Sequence, residues 1–328
     1  METELLTGKI AIEKGAKLIQ QGNIVVFPTE TVYGLGANAF DSNAVNKIFI
    51  AKGRPNDNPL IVHISSKDQI SDLVSNISEA AQKVIDEFMP GPITVIMEKS
   101  QKVPNEVTAG LQTVGIRMPV HPVAQEFIKA CNTPIAAPSA NTSTKISPTK
   151  AIHVYEDMKG KVPLIIEGGD CQVGIESTII DMSTEHPTIL RPGAITEEML
   201  AKVLGSVVTF KGKVIVAKAP GMKYKHYAPN CPMVVADSIE SMISEYDKKL
   251  NDNAKPILIC KSCHKNLILD RRYIDVGNTE DEVLRNIYSA LHEGEKLSNY
   301  IICEDFGNEG KYASVMNRLN KSSGGIRV

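Results

Sequence analysis

No apolar run in this sequence approaches the roughly 18 residues that a membrane span requires. The opening "METELLTGKI" is acidic and lacks a hydrophobic stretch of signal-peptide length, so a cytoplasmic protein with no membrane partner is expected. Six cysteines scattered over 328 residues are too thin for a disulfide framework, which fits a reducing compartment. Only "CKSC" sets two of them, Cys260 and Cys263, at metal or redox spacing, and no second CxxC accompanies it. Positive charge is not in surplus either: 23 basic residues face 23 acidic ones up to position 230, and 13 face 15 beyond it, for a net −2. That balance counts against a dedicated nucleic-acid binder. Missing too are a GxxxxGK[ST] phosphate loop, an HExxH helix and a GxSxG setting for Ser177.

What remains is a composition of 42% hydrophobic and 23% charged residues, enough for packed cores and, at this length, for two domains. The segment "GKIAIEKGAKLIQQG" has helical spacing and stops at Gly22, and "IVVF" follows as a short buried strand. The alternation recurs through "NAVNKIFIAK", "LIVHI", "SEAAQKVIDEFM", "ITVIME", "TVGIRMP", "HPVAQEFIKAC" and "PIAAPS". Three strand-like runs then follow, "PLIIEGG", "STIIDM" and "PTILRPG", and the mixed order predicts an α/β domain whose twisted sheet is not purely parallel. Residues 211–230 turn rich in Lys, Pro, Gly and Tyr and read as a linker. After them, four strand-like runs alternate with three helical segments, the pattern of a small doubly wound domain.

Several polar residues stand where such folds place chemistry. In "AKGRPNDNPL", Lys52 and Arg54 sit in a loop stiffened by Pro55, so a point charge and a forked guanidinium can face one anion. Thr29, Glu30 and Thr31 form a polar shelf after a buried strand, and strand alternation turns His63 away from Val62 and Ile64. Arg117 ends an apolar strand just before Pro119 and needs an anionic partner or solvent. "APSAN" presents Ser139 and Asn141 at another strand end. "GLGANA" matches a relaxed dinucleotide fingerprint, but six residues separate its first glycine, Gly34, from Phe27, whereas a dinucleotide turn sits at the strand end itself.

In order and spacing, "PTETVYGLG", "KGRPNDNPLIVH", "GIRMP", "APSAN", "ESTIID" and "RPG" resemble the YrdC-like threonylcarbamoyl-AMP synthases, while "YKHYAP" and the α/β tail resemble the two-domain branch of that family. The resemblance implies a YrdC-like twisted, mixed, open sheet with helices over residues 1–210, a linker acting as active-site lid over 211–230, and a small Rossmann-like α/β domain over 231–328. It also implies a reaction: L-threonine, bicarbonate and ATP give threonylcarbamoyl-AMP and pyrophosphate. The product goes to a downstream tRNA threonylcarbamoyl transferase, which modifies the adenosine next to the anticodon, and tRNA binding by this chain is allowed but not required. By the same resemblance Lys52 and Arg54 are catalytic and hold ATP with Asn58, Thr113, Ser139, Asn141, Ser147, Arg191 and Tyr227. Threonine falls to Thr31, His63, Arg117, Ala137 and Ser177. Mg²⁺ is expected to enter with ATP near Ser139 and Asn141, without a protein metal motif of its own. Two rival readings are an RNA-binding module without chemistry and a nicotinamide-dependent oxidoreductase built on "GLGANA".

Overall fold

The computed structural model describes residues 2–210 and 227–328, so most of the linker expected at 211–230 lies outside the described residues. The chain divides into two compact units. The first comprises Met1–Ser143, Pro148–Gln172 and Glu176–Lys223, and the second Thr144–Ser147, Val173–Ile175 and Tyr224–Val328.

The first unit is built on an eleven-stranded mixed sheet. From one edge to the other its strands are Glu4–Thr7, Leu164–Glu167, Val25–Phe27, Gly34–Asn38, Ile135–Ala137, Ile61–His63, Thr113–Arg117, Ile93–Glu98, Thr178–Asp181, Thr188–Arg191 and Val208–Thr209. Successive side chains along a strand point to opposite faces, and that alternation sorts the residues into two environments. On one face Leu35, Val62, Val95, Ile116, Ala136 and Ile180 join the main apolar core, which also takes in Val45, Ile48 and Phe49 of the helix Ser42–Lys52 and Val84 and Ile85 of the helix Glu79–Phe88. On the other face the helices Gly8–Gln20 and Pro122–Cys131 cover only one end, around Phe27, Ile135 and Leu164. Beyond them Ile61, Ile96 and Ile179, with Leu190 against them, form a small separate apolar patch. His63, Arg117, Thr94 and Ser177 lie on this second face.

The glycines of "GLGANA" belong to the strand Gly34–Asn38, which pairs antiparallel with Val25–Phe27. A Cβ on Gly36 would stand 2.6 Å from Ile135 Cγ2 and 2.9 Å from Phe27 Cε1. These glycines make room for an aromatic ring, not for a pyrophosphate. The strand breaks the usual pattern because glycine has low strand propensity, which hides it from a reading based on periodicity. The first edge strand and the helices Ala151–Met158 and Glu197–Leu204 likewise add to the elements expected from the sequence.

The second unit carries a four-stranded parallel sheet in the order Met233–Ala236, Tyr300–Glu304, Pro256–Cys260, Tyr273–Asp275. Met242 and Tyr246 of the helix Ile239–Asn251 pack on Val234, Leu258 and Ile302. The residues between those face the other way, where the helix Glu280–Leu297 sets Gly294 so close that an added Cβ would lie 3.2 Å from Ile301 Cδ1. Helices therefore cover both faces, as the doubly wound pattern predicts. Capping boxes at Ser238 and Thr279 fix the starts of both helices.

Candidate active site

The strand registers set the layout of the site. His63 pairs with Arg117 in the parallel ladder and with Ile135 in the antiparallel one, while Ile61 pairs with Gly115 and Ala137. Continued two residues back from Ile61, the same registers set Pro59 level with Thr113 and Ser139. Four residues separate that level from His63 and Arg117, about 13 Å at 3.3 Å per residue. Two polar groups result, one at each level, on one face of one sheet.

At the upper level Arg117 is 3% exposed. Its Nη1 donates to Thr31 Oγ1 at 2.7 Å, and Nη2 lies 2.7 Å from Glu30 Oε1. Thr29 locks this corner, since its hydroxyl accepts from the backbone N–H groups of Thr31 and Val32 and lies 2.9 Å from Thr31 Oγ1. His63 holds its Nδ1 3.2 Å from the Ile61 carbonyl, and burial, reinforced by the Arg117 charge, pulls its pKa down to about 3, so the ring is neutral. Ser177 Oγ lies 2.8 Å from Thr94 Oγ1 and accepts from Arg191 Nη2 at 3.2 Å.

Arg191 reaches that group through an irregularity. Ile189 pairs with Ile180 and lies in the main core, so a regular strand would aim Arg191 there too. The register shifts between them and pairs Arg191 with Ile179, which belongs to the opposite face. A bulge thus re-aims the guanidinium, and its Nε donates to the Ser177 carbonyl at 3.1 Å. Gly193 follows closely: a Cβ there would fall 2.4 Å from the Thr178 backbone nitrogen.

At the lower level Lys52, 3% exposed, ends the helix Ser42–Lys52 ahead of Gly53, whose left-handed φ of 59° closes the turn. Its ammonium donates to the Ser139 carbonyl at 2.5 Å and to the Asn141 carbonyl. Burial first, and the nearby Arg54 second, hold its pKa well below the usual lysine value. Arg54 Nη2 donates to the Asn58 and Pro59 carbonyls at 3.0 and 3.3 Å, and Asn58 is buried with an Oδ1 that has no hydrogen-bond partner. Two neighbouring cations, each donating to backbone carbonyls, are suited to a polyanion.

The comparisons with known proteins follow this geometry. A family model for Sua5, YciO and YrdC, described as telomere recombination, matches residues 17–193, and a model for the C-terminal domain of threonylcarbamoyl-AMP synthase matches 195–324. The Pyrococcus abyssi threonylcarbamoyl-AMP synthase is 44% identical across 96% of this chain and 94% of its own length. The chain belongs to the threonylcarbamoyl-AMP synthase family. A Bacillus subtilis threonylcarbamoyl-AMP synthase is 40% identical over 98% of this chain and 95% of its own. The crystal structure of P. abyssi Sua5 complexed with L-threonine superposes with a TM-score of 0.93 at 40% identity, covering 100% of both chains.

Set against the assignments that the family resemblance implies, Thr31, His63, Arg117 and Ser177 gather at the upper level, with Ala137 one strand step below. Lys52, Arg54, Asn58, Thr113, Ser139 and Asn141 gather at the lower. Arg191, expected among the nucleotide contacts, is joined to Ser177 and so to the threonine group. Ser147 and Tyr227 belong to the second unit, where the Tyr227 ring stacks on Tyr288 at 5.6 Å and its carbonyl accepts from Ser322. The sequence reading gave no role to Glu30, Thr94 or His121. Glu30 carried a signal, a carboxylate between two threonines after a buried strand, and it proves to be the anion that Arg117 requires. Among the described residues no three His, Cys, Asp or Glu side chains gather to hold a metal ion.

Proposed function

We propose that this enzyme joins L-threonine, bicarbonate and ATP into threonylcarbamoyl-AMP with release of pyrophosphate, for transfer to tRNA by a separate transferase. The observation that carries the reading is the two-level site: a guanidinium with hydroxyls and a neutral imidazole at one level, and two cations held by carbonyls at the other. With its carboxylate at Arg117, threonine keeps its amine at the upper level beside Glu30, and ATP held at the lower level turns its α-phosphate toward it. P. abyssi Sua5 holding L-threonine supports the choice of amino acid.

Threonine's amine takes up carbon dioxide to give a carbamate. Its oxygen forms a bond to the α-phosphorus while the bond to the β-phosphate oxygen breaks, and pyrophosphate leaves with that electron pair. The carbamate is already an anion, so this second step needs alignment and charge neutralisation more than proton removal. Lys52 and Arg54 supply the positive charge, and Ser139 and Asn141 the neutral donors and acceptors beside it. Mg²⁺ fits here only as a companion of ATP, because these neighbours are neutral oxygens that favour a cation already bound to phosphate and water. Such an ion screens the phosphate charge.

Pyrophosphate release tests the reading, with threonine, bicarbonate and ATP omitted in turn and the adenylate detected by mass. Release that depends on all three is expected. Release indifferent to threonine would refute it.

A further inference from the structure

One carboxyl side chain in the upper group is buried and held by an ion contact alone. Glu30 is 3% exposed, yet neither carboxylate oxygen accepts a hydrogen bond, because the 2.7 Å approach of Arg117 Nη2 is an ion contact outside hydrogen-bonding angles. Arg117 Nε and His121 Nδ1, both buried, also lack hydrogen-bond partners. Unsatisfied buried groups are few in folded proteins and each calls for an explanation. Four such atoms, three of them in one ion pair and the fourth on His121, describe a site shaped for a further polar molecule.

The reaction proposed above, on which this inference rests, requires a proton acceptor in its first half. Threonine arrives as an ammonium ion, which has no lone pair to offer carbon dioxide. We propose that Glu30 is the catalytic residue that accepts the proton of the substrate α-ammonium group. The N–H bond breaks, its electron pair stays on nitrogen as a lone pair, and the proton passes to a Glu30 oxygen. Handed on to bicarbonate, that proton releases carbon dioxide and water and returns Glu30 to the carboxylate, and the nitrogen lone pair then forms the bond to the carbon of the carbon dioxide released. The proton lost from the nitrogen after carboxylation leaves by the same carboxylate to solvent.

The neighbours favour Glu30 for this role. His63 is a poor acceptor, since its pKa lies near 3. Arg117 is always charged and acquires the substrate carboxylate, which frees Glu30 to turn toward the ammonium group beside it. His121, whose pKa burial lowers against the opposing Glu30 charge, and Cys171, whose thiol pKa is raised by burial and by Glu30, both face the carboxylate as neutral groups.

Threonine-dependent pyrophosphate release between pH 6.5 and 9.5 tests the assignment. In the unaltered enzyme kcat/KM for threonine should stay nearly flat from pH 7 to 9, since the enzyme removes the proton itself. A tenfold rise per pH unit, tracking the free amine, would overturn the proposal without any variant. Glu30→Gln should lower kcat about 100-fold at pH 7.5, leave the ATP KM within about twofold, and impose that tenfold rise per unit. Threonine carbamate preformed in alkaline bicarbonate and added rapidly should restore a burst of product in Glu30→Gln. Glu30→Asp should keep the flat profile at reduced kcat. A Glu30→Gln enzyme with a flat profile and no rescue would reduce Glu30 to a structural partner of Arg117. Loss of threonine dependence in the unaltered enzyme would instead overturn the reaction itself, and this role with it.

Discussion

Arg117 and Lys52 are both buried cations, but they are neutralised in different ways, and their variants should differ accordingly. Arg117 has two geometric partners in Thr31 and Glu30, so its planar fork matters. Arg117→Lys should raise the threonine KM at least about tenfold while the ATP KM changes little, in steady-state kinetics with each substrate varied. Lys52 donates only to carbonyls and has a depressed pKa, and phosphates bound beside it should raise that pKa again. Through the pH range in which Lys52 titrates, ATP binding should therefore take up more protons in the unaltered enzyme than in Lys52→Met, read as a binding enthalpy that varies more steeply with the ionisation heat of the buffer. His63 gives a stability prediction. Its folded pKa near 3 lies below the unfolded value of 6.5, so its contribution is complete above pH 6.5 and is lost as pH falls toward 3. His63→Gln should remove about 1.4 kcal/mol per pH unit from the slope of unfolding free energy between pH 6.5 and 5, measured by urea titration.

At the scale of elements, the site depends on places where strands depart from the expected pattern. Gly36 is one: with Ile135 and Phe27 at 2.6 and 2.9 Å from any added Cβ, Gly36→Ala should cost about 1–3 kcal/mol by overpacking, seen as a lowered Tm. The bulge before Arg191 is another. These two features also mark the limit of what the sequence discloses. Strands rich in β-branched residues, such as "ITVIME", and the amphipathic helices were legible because burial imposes a period. The glycine strand was not, since its logic lies in the close approach of Gly36 to the Phe27 ring and to Ile135, a residue on a strand far along the chain. Lys52, Arg54, His63 and Arg117 could be named as chemistry from residue type and local setting, and the family resemblance grouped them. Arg191 could be named but not placed, because one inserted residue changes which face it serves. Glu30 was visible as part of a polar shelf, but its pairing with Arg117 needed the registers of four strands.

On the scale of the whole molecule, the second unit takes in two short pieces from within the span of the first, Thr144–Ser147 and Val173–Ile175. Ala228 donates its N–H to the Thr144 carbonyl at 3.1 Å, and Gly174 approaches Arg285 so closely that an added Cβ would lie 2.4 Å from its carbonyl oxygen. Gly174 also has a φ of 79°, which a Cβ disfavours. Gly174→Ala should thus loosen the piece from the helix Glu280–Leu297, with faster amide exchange in that helix and an unchanged rate in the sheet carrying Arg117. Equal acceleration in both would show that the effect is not local. A matching loss should follow if the chain were cut at residue 210, since the two pieces would then lack the rest of their unit.

The two-face alternation of the central sheet has a consequence for how this protein fails. His63, Arg117, Thr94 and Ser177 share a face only because their strands are in register, and a slip of one residue in Ile61–His63 would turn His63 into the main core and Val62 out of it. A misfolded copy with a slipped strand could not hold a half-working site: it would lose its core and its chemistry together. In a chain with that slip, catalytic activity and a well-packed core should therefore be lost together, so that activity reports on strand register.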